Sequence, residues 1–77
     1  MKRLAVESTT IRSVGYDEGS KILEIEFQSG EVYQYLDVPS AVHSKLLSAE
    51  SKGRYFNGEI RDDYPFVRLV RGRRVGR

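Results

Sequence analysis

The run Lys21-Ile22-Leu23-Glu24-Ile25-Glu26-Phe27-Gln28-Ser29-Gly30-Glu31-Val32-Tyr33-Gln34-Tyr35-Leu36-Asp37 decides the fold of this chain. Leu23, Ile25 and Phe27 alternate with Glu24 and Glu26, the period-two pattern of a strand with one buried face. Glu31 to Asp37 is a second strand, rich in aromatic and β-branched residues. Two strands this close in sequence form an antiparallel hairpin. A three-residue Gln28-Ser29-Gly30 loop, with Gly30 as a left-handed bulge residue, pairs Phe27 with Glu31. Ile25 then faces Tyr33 and Leu23 faces Tyr35, all on one side. A two-residue Ser29-Gly30 loop would instead put both tyrosines beside Glu24 and Glu26. Ser-Gly is a weaker two-residue signal than Asn-Gly, so the bulged loop is adopted.

On the amino side, residues 1–9 mix charges and small polar groups without periodicity and read as a loose lead-in. Thr10 to Tyr16 reads as a strand, with Gly15 marking a bulge or a close backbone approach. Asp17-Glu18-Gly19-Ser20 is a turn in which Gly19 supplies positive φ. On the carboxyl side, Pro39 opens a helix at its first position, where a missing amide costs nothing. Val42, Leu46, Leu47 and Ala49 recur at helical spacing over Pro39 to Ala49. Ser51 to Asp63 reads as a short amphipathic helix carrying Phe56 and Ile60, against which Asn57-Gly58 is a competing turn signal. Tyr64-Pro65 stops it. Phe66 to Val70 reads as an edge strand or an extended arm, and the chain beyond Gly72 as disordered. The expected fold is α+β, a three-stranded antiparallel β-meander with one or two short helices on one face. The organisation is a lead-in (1–9), one domain (10–70) and a basic tail (71–77).

Seventy-seven residues, 39% hydrophobic and 31% charged, describe one small globular unit and exclude a two-domain enzyme. Without cysteine there is no disulfide, thiolate metal site or cysteine nucleophile, and the single histidine, His43, excludes a multi-histidine metal cluster. No apolar run approaches the length that spans a membrane, and Glu7 interrupts the N-terminus before a signal sequence can form, so a cytoplasmic location without membrane contact is expected. The net charge of +2 conceals an asymmetry. Residues 1–67 hold eight Lys/Arg against all eleven Asp/Glu, whereas residues 68–77 hold five arginines and no acid. A mildly acidic body with a cationic end is the layout of a nucleic-acid arm, or of a plain solubilising tail.

No serine sits in a Gly-x-Ser-x-Gly setting, and His43 falls between apolar helix positions with no orienting acid nearby. Glu24/Glu26 and Asp62/Asp63 read as solubilising or turn carboxylates. No phosphate loop, dinucleotide fingerprint or metal spacing is present, so neither enzymatic activity nor a cofactor is expected. The aromatic and basic residues say more. Tyr33 and Tyr35 share one sheet face, roughly 7 Å apart by strand rise. Sheet aromatics flanked by cations form stacking platforms for single-stranded nucleic acid. The alternative is that both rings fill the core beneath the helices, and the bulged register favours that. Arg12, Arg54, Arg61, Arg68, Arg71, Arg73 and Arg74 are the candidate phosphate contacts, and Tyr33, Tyr35 and Tyr55 the candidate stacking rings.

Val6-Glu7-Ser8-Thr9-Thr10-Ile11, Val14-Gly15-Tyr16-Asp17, Leu23-Glu24-Ile25-Glu26-Phe27, Gly30-Glu31-Val32-Tyr33-Gln34-Tyr35, Val38-Pro39, Ser51-Lys52-Gly53-Arg54-Tyr55-Phe56-Asn57 and Ile60-Arg61 together resemble the KTSC domain. That is a short bacterial and phage domain, also found fused behind some lysyl-tRNA synthetases. The resemblance runs from about Val6 to Leu69; Thr9 stands where the family pattern has a second serine and keeps the hydroxyl. The synthetase fusion implies RNA, as tRNA or single strands, as the partner. The leading expectation is therefore a non-enzymatic RNA-binding module. The alternatives are a protein–protein adaptor using the exposed edge strand and the half-apolar face that carries Ile22, Val32 and Leu36, and a binder of a small anionic nucleotide through Arg54 and Tyr55.

Overall fold

The computed structural model describes residues 1–70 and the backbone of 73–75. The elements are β1 (Arg3–Ala5), β2 (Ile11–Asp17), β3 (Ile22–Phe27), β4 (Val32–Tyr35), α1 (Ser40–Ser48), α2 (Lys52–Glu59), β5 (Phe66–Val70) and β6 (Arg73–Val75). The strands lie in chain order in one sheet, each neighbouring pair antiparallel, and both helices are inserted between β4 and β5. The class is α+β, and the expected three-stranded meander is the β2–β3–β4 portion of this larger sheet. Three expectations are corrected at its margins. The lead-in is not loose, because Arg3, Leu4 and Ala5 pair with Gly15, Val14 and Ser13. Phe66–Val70 is not an edge, because Val70, Leu69 and Arg68 pair with Arg73, Arg74 and Val75. The same pairing replaces the disorder expected beyond Gly72 with a strand over Arg73–Val75. In each case the strand is only three residues long, too short to show a period of its own, and a neighbour's unpaired backbone organises it.

The central hairpin has the bulged loop. Gly30 N–H donates to the Phe27 carbonyl, and Phe27 N–H donates to the Glu31 carbonyl, both at 2.9 Å. Gly30 sits at φ 96, in the region that favours glycine. Leu23 pairs with Tyr35 and Ile25 with Tyr33, so the apolar side chains of β3 and the tyrosines of β4 share a face. In the β2–β3 turn the Asp17 carboxylate accepts from Gly19 N–H at 3.3 Å and from the Ser20 hydroxyl at 2.6 Å. The positive φ there falls on Lys21, at 58, rather than on Gly19. The Asp17 side chain closes the turn itself, and the left-handed step comes where the chain re-enters β3. Gly15 is needed for a close approach: a Cβ on it would lie 2.7 Å from the Lys2 carbonyl oxygen of β1.

Pro39 stands one residue earlier than expected. It caps α1 in extended geometry, φ −64 and ψ 149, which the fixed ring torsion permits as readily as a helical ψ. Ser51 caps α2, its hydroxyl accepting from Arg54 N–H at 3.3 Å. The helix runs through Asn57-Gly58 and closes at Glu59, four residues short of Asp63. Burial of Phe56 and Ile60 against the sheet outweighs the local turn preference of Asn-Gly. Leu46, Phe56 and Ile60 pack with Val38 onto Ile11, Val14, Leu23, Ile25 and Tyr35, which forms the core. Each such side chain contributes about 1.5–3 kcal/mol by leaving water.

The opposite sheet face is polar but not idle. Glu24, expected to be a solubilising carboxylate, is 4% exposed and ion-paired to Arg3 of β1, and it accepts from the Gln34 amide at 2.8 Å. Glu26 accepts from the Ser13 hydroxyl at 2.8 Å. The Arg3 side chain reaches from the edge strand β1 over these carboxylates, and buried or half-buried as they are, both carry partners.

Replacing Gly30 with alanine forces a Cβ into left-handed geometry and should cost about 1–2 kcal/mol. In urea denaturation the midpoint should fall while the slope stays unchanged. An unchanged midpoint would mean that the loop does not depend on this backbone conformation.

Candidate nucleic-acid interface

On the helix-covered face, where the helices leave the sheet open, five rings form a continuous cluster. Tyr33 lies at the centre, 5.6 Å from Phe27 and 5.3 Å from Phe66 between ring centroids, with Tyr35 stacked beside it at 6.4 Å. Phe56 of α2 meets Phe27 at 5.2 Å and Tyr35 at 5.4 Å, both edge to face. The sequence of each element explains the cluster. The β3–β4 register aligns Phe27 with the tyrosines, the β4–β5 register sets Phe66 opposite Tyr35, and Ser51 starts α2 so that Phe56 points down. Tyr35 is only 3% exposed and belongs to the core, whereas Phe27, Tyr33 and Phe66 are half-buried.

Above these rings is an open cleft of about 740 Å³. Its walls are polar: Thr9 and Thr10 from the segment before β2, Gln28 and Ser29 from the hairpin loop, Asn57 from α2 and Arg61 from the turn that follows. Glu31 and Asp62 bring two carboxylates to the rim. The Arg68 guanidinium lies 3.6 Å from the Glu31 carboxylate, and Arg68 is paired with Tyr33 across β4 and β5. Arg61 is exposed and has no ion-pair partner among the described residues. The volume falls in the range of small-ligand sites, and an apolar floor under a few convergent polar groups is the usual form of such sites.

The residues singled out from sequence divide accordingly. Tyr33, Tyr35 and Arg61 line the cleft, and Arg68 reaches it through Glu31. Arg12 does not: its guanidinium donates to the Gln28 carbonyl at 3.1 Å and lies 3.5 Å from the Glu26 carboxylate. Arg54 is exposed on α2 and Tyr55 is half-buried, and neither lines the cleft. Arg71 lies outside the described residues; Arg73 and Arg74 are placed by backbone alone, opposite Val70 and Leu69. Sequence reading missed Phe27, Phe66, Asn57, Gln28, Thr9 and Thr10. Phe27 was within reach, since the adopted register already sets it on the tyrosine face. Phe66 was not, because nothing local specifies which strand β5 pairs with.

His43 stacks on Tyr16 at 4.8 Å and 15°, and burial lowers its pKa from the ordinary imidazole value. Tyr16 in turn donates to the Val38 carbonyl at 2.6 Å, so this pair anchors α1 to the sheet. Among the described residues no group of three or more His, Asp or Glu side chains could hold a metal ion, and no helix is long and apolar enough to cross a membrane.

Three comparisons bear on this arrangement. The family model of the KTSC domain matches residues 7–64. A protein of Stutzerimonas stutzeri is 53% identical over 57 residues, which is 74% of this chain and 80% of that protein. A lysine–tRNA ligase of Nostoc punctiforme is 39% identical over 66 residues; the match takes in 86% of this chain and 12% of the ligase. The crystal structure of a KTSC domain protein from Yersinia pestis superposes with a TM-score of 0.87 at 40% identity, covering 90% of this chain and 97% of that one.

Burial pushes the Tyr35 phenol up to about 12, with the neighbouring Tyr33 adding to the shift. The unfolded chain ionises this group near 10. Its contribution to stability is therefore complete below about pH 10 and is lost as pH rises toward 12. Denaturation midpoints between pH 9 and 12 should fall less steeply in Tyr35→Phe than in the unaltered protein. Identical slopes would place the ring in water.

Proposed function

From the premise that this chain belongs to the KTSC domain family, we propose that it is a non-enzymatic module that binds single-stranded RNA in the cytoplasm. A splayed base stacks in the cleft over Tyr33, Phe27 and Phe66, and arginines hold the adjoining phosphates. The observation that carries this reading is the cleft itself, where half-buried rings form the floor and Arg61 stands at the rim with no ion-pair partner among the described residues. Every base has a π-face, so a ring platform accepts single strands with little dependence on sequence. A guanidinium with no carboxylate to leave can join a phosphate at little cost. The lysine–tRNA ligases that carry a related segment act on an RNA, which supports the same partner. Within this reading Tyr35 supports the platform from beneath, Arg68 borders it, and Arg71, Arg73 and Arg74 are further candidate phosphate contacts. Arg12, already engaged with Glu26, takes no part.

A second reading, a protein–protein adaptor, is favoured by the free edge at β1, where Met1 and Leu4 are 52% and 61% exposed. The edge expected to serve that role from sequence, β5, is occupied by β6.

Titration of a labelled single-stranded RNA between about 50 and 200 mM salt separates the two. The RNA reading expects affinity to fall with a log–log slope of roughly −0.7 per phosphate contact. Arg61→Ala should lower that slope by about one such contact. Tyr33→Ala should weaken binding by about 1–3 kcal/mol, the usual worth of one stacked base. Melting curves of both variants verify that the fold persists. If no RNA binds at the lower salt, or Tyr33→Ala binds like the unaltered protein, the reading fails.

A further inference from the structure

Asn57 lies in the last turn of α2, two residues before the end at Glu59, and is followed by Gly58; both residue types are weaker helix formers than alanine. Neither is required by the backbone: no positive φ occurs in α2, and a Cβ on Gly58 would meet nothing within 4 Å. The Asn57 side chain is exposed, lines the cleft, and makes no hydrogen bond among the described residues. An exposed amide on the cleft wall, with its donor and acceptor unused among the described residues, is open to a ligand in the cleft.

We infer that Asn57 reads the edge of the base held in the cleft, and that the base it selects is adenine. The inference rests on the RNA-binding reading above. The amide presents a donor and an acceptor side by side, and it matches the amino group and adjacent ring nitrogen of adenine with two hydrogen bonds. The rest of the rim chooses among bases. Glu31 is paired with Arg68, whereas the Asp62 carboxylate has no ion-pair partner among the described residues, and adenine is the one standard base with no carbonyl oxygen for it to repel. Its exocyclic amino group is a donor that such a carboxylate can accept. Arg61 is left for the phosphate.

The test uses oligouridylates about eight nucleotides long, within the ordinary single-strand site size, with the central base kept as uracil or changed to adenine, cytosine or guanine. The central adenine should bind roughly tenfold more tightly than uracil or cytosine, as one bidentate contact provides. Asn57→Ala should reduce that preference to less than about twofold, whatever its effect on the uracil oligomer. Its melting temperature should stay level or rise, since alanine is the better helix former. Equal binding of all four oligomers, a guanine preference, or a preference unchanged by Asn57→Ala overturns the inference and leaves RNA binding standing. A lower melting temperature in Asn57→Ala overturns it too, by showing that the amide supports the fold. Failure of every oligomer to bind would overturn the RNA reading itself.

Discussion

The loop Gln28-Ser29-Gly30 closes the central hairpin through two short backbone hydrogen bonds, and the odd number of loop residues sets which side chains share a face. With Gly30 left-handed, Leu23, Ile25 and Phe27 lie with Tyr33 and Tyr35 on the side that the helices cover. A slip by one residue would set Tyr33 and Tyr35 beside Glu24 and Glu26 and bring Gln34 to the face of Leu23, Ile25 and Phe27. The core and the cleft both follow from this one constraint. The hairpin's share of the core, Leu23, Ile25 and Tyr35, and two rings of the cleft floor, Phe27 and Tyr33, are placed by the pairing that this loop starts.

The two sheet faces then have different physics. One is sealed by α1 and α2 over its length except at the end near the hairpin loop, where the helices stop and rings remain partly open. The other carries ion pairs reaching in from the edge strand β1, whose Arg3 neutralises Glu24 and approaches Glu26. Cations on the polar face are therefore already engaged, whereas Arg61 on the cleft rim is not. A basic residue bound to a neighbouring carboxylate has little left to offer a phosphate, so a count of arginines overstates the binding surface.

The cleft also shows how a small domain keeps aromatic surface in water without collapsing on it. Tyr33 touches Phe27, Tyr35 and Phe66, each at an angle or distance of its own, so the ring is held from three sides and exposed on the remaining one. Such a ring loses little conformational freedom when a planar ligand covers it. Tyr35, one pair further along β4, has no open side and serves as structure. Two tyrosines separated by one glutamine thus have different fates, decided by where Phe56 and Phe66 arrive.

Local patterning was enough for the hairpin, its bulged loop, the strand before it and the existence of both helices. In each, the signal is carried by residues within one turn or one strand of each other: Leu23 with Ile25, Gly30 with Phe27, Ser51 with Arg54. Composition was enough to exclude a disulfide or thiolate site. Tertiary structure alone decided the remainder. Three-residue strands such as Arg3–Ala5 and Arg73–Val75 have no period, and they form because a longer strand offers them free backbone groups. The cleft brings Thr10, Phe27, Asn57 with Arg61, and Phe66 together from four separate stretches of chain. No spacing rule links positions so far apart in sequence, since their meeting depends on how the helices return to the sheet and which strand β5 joins.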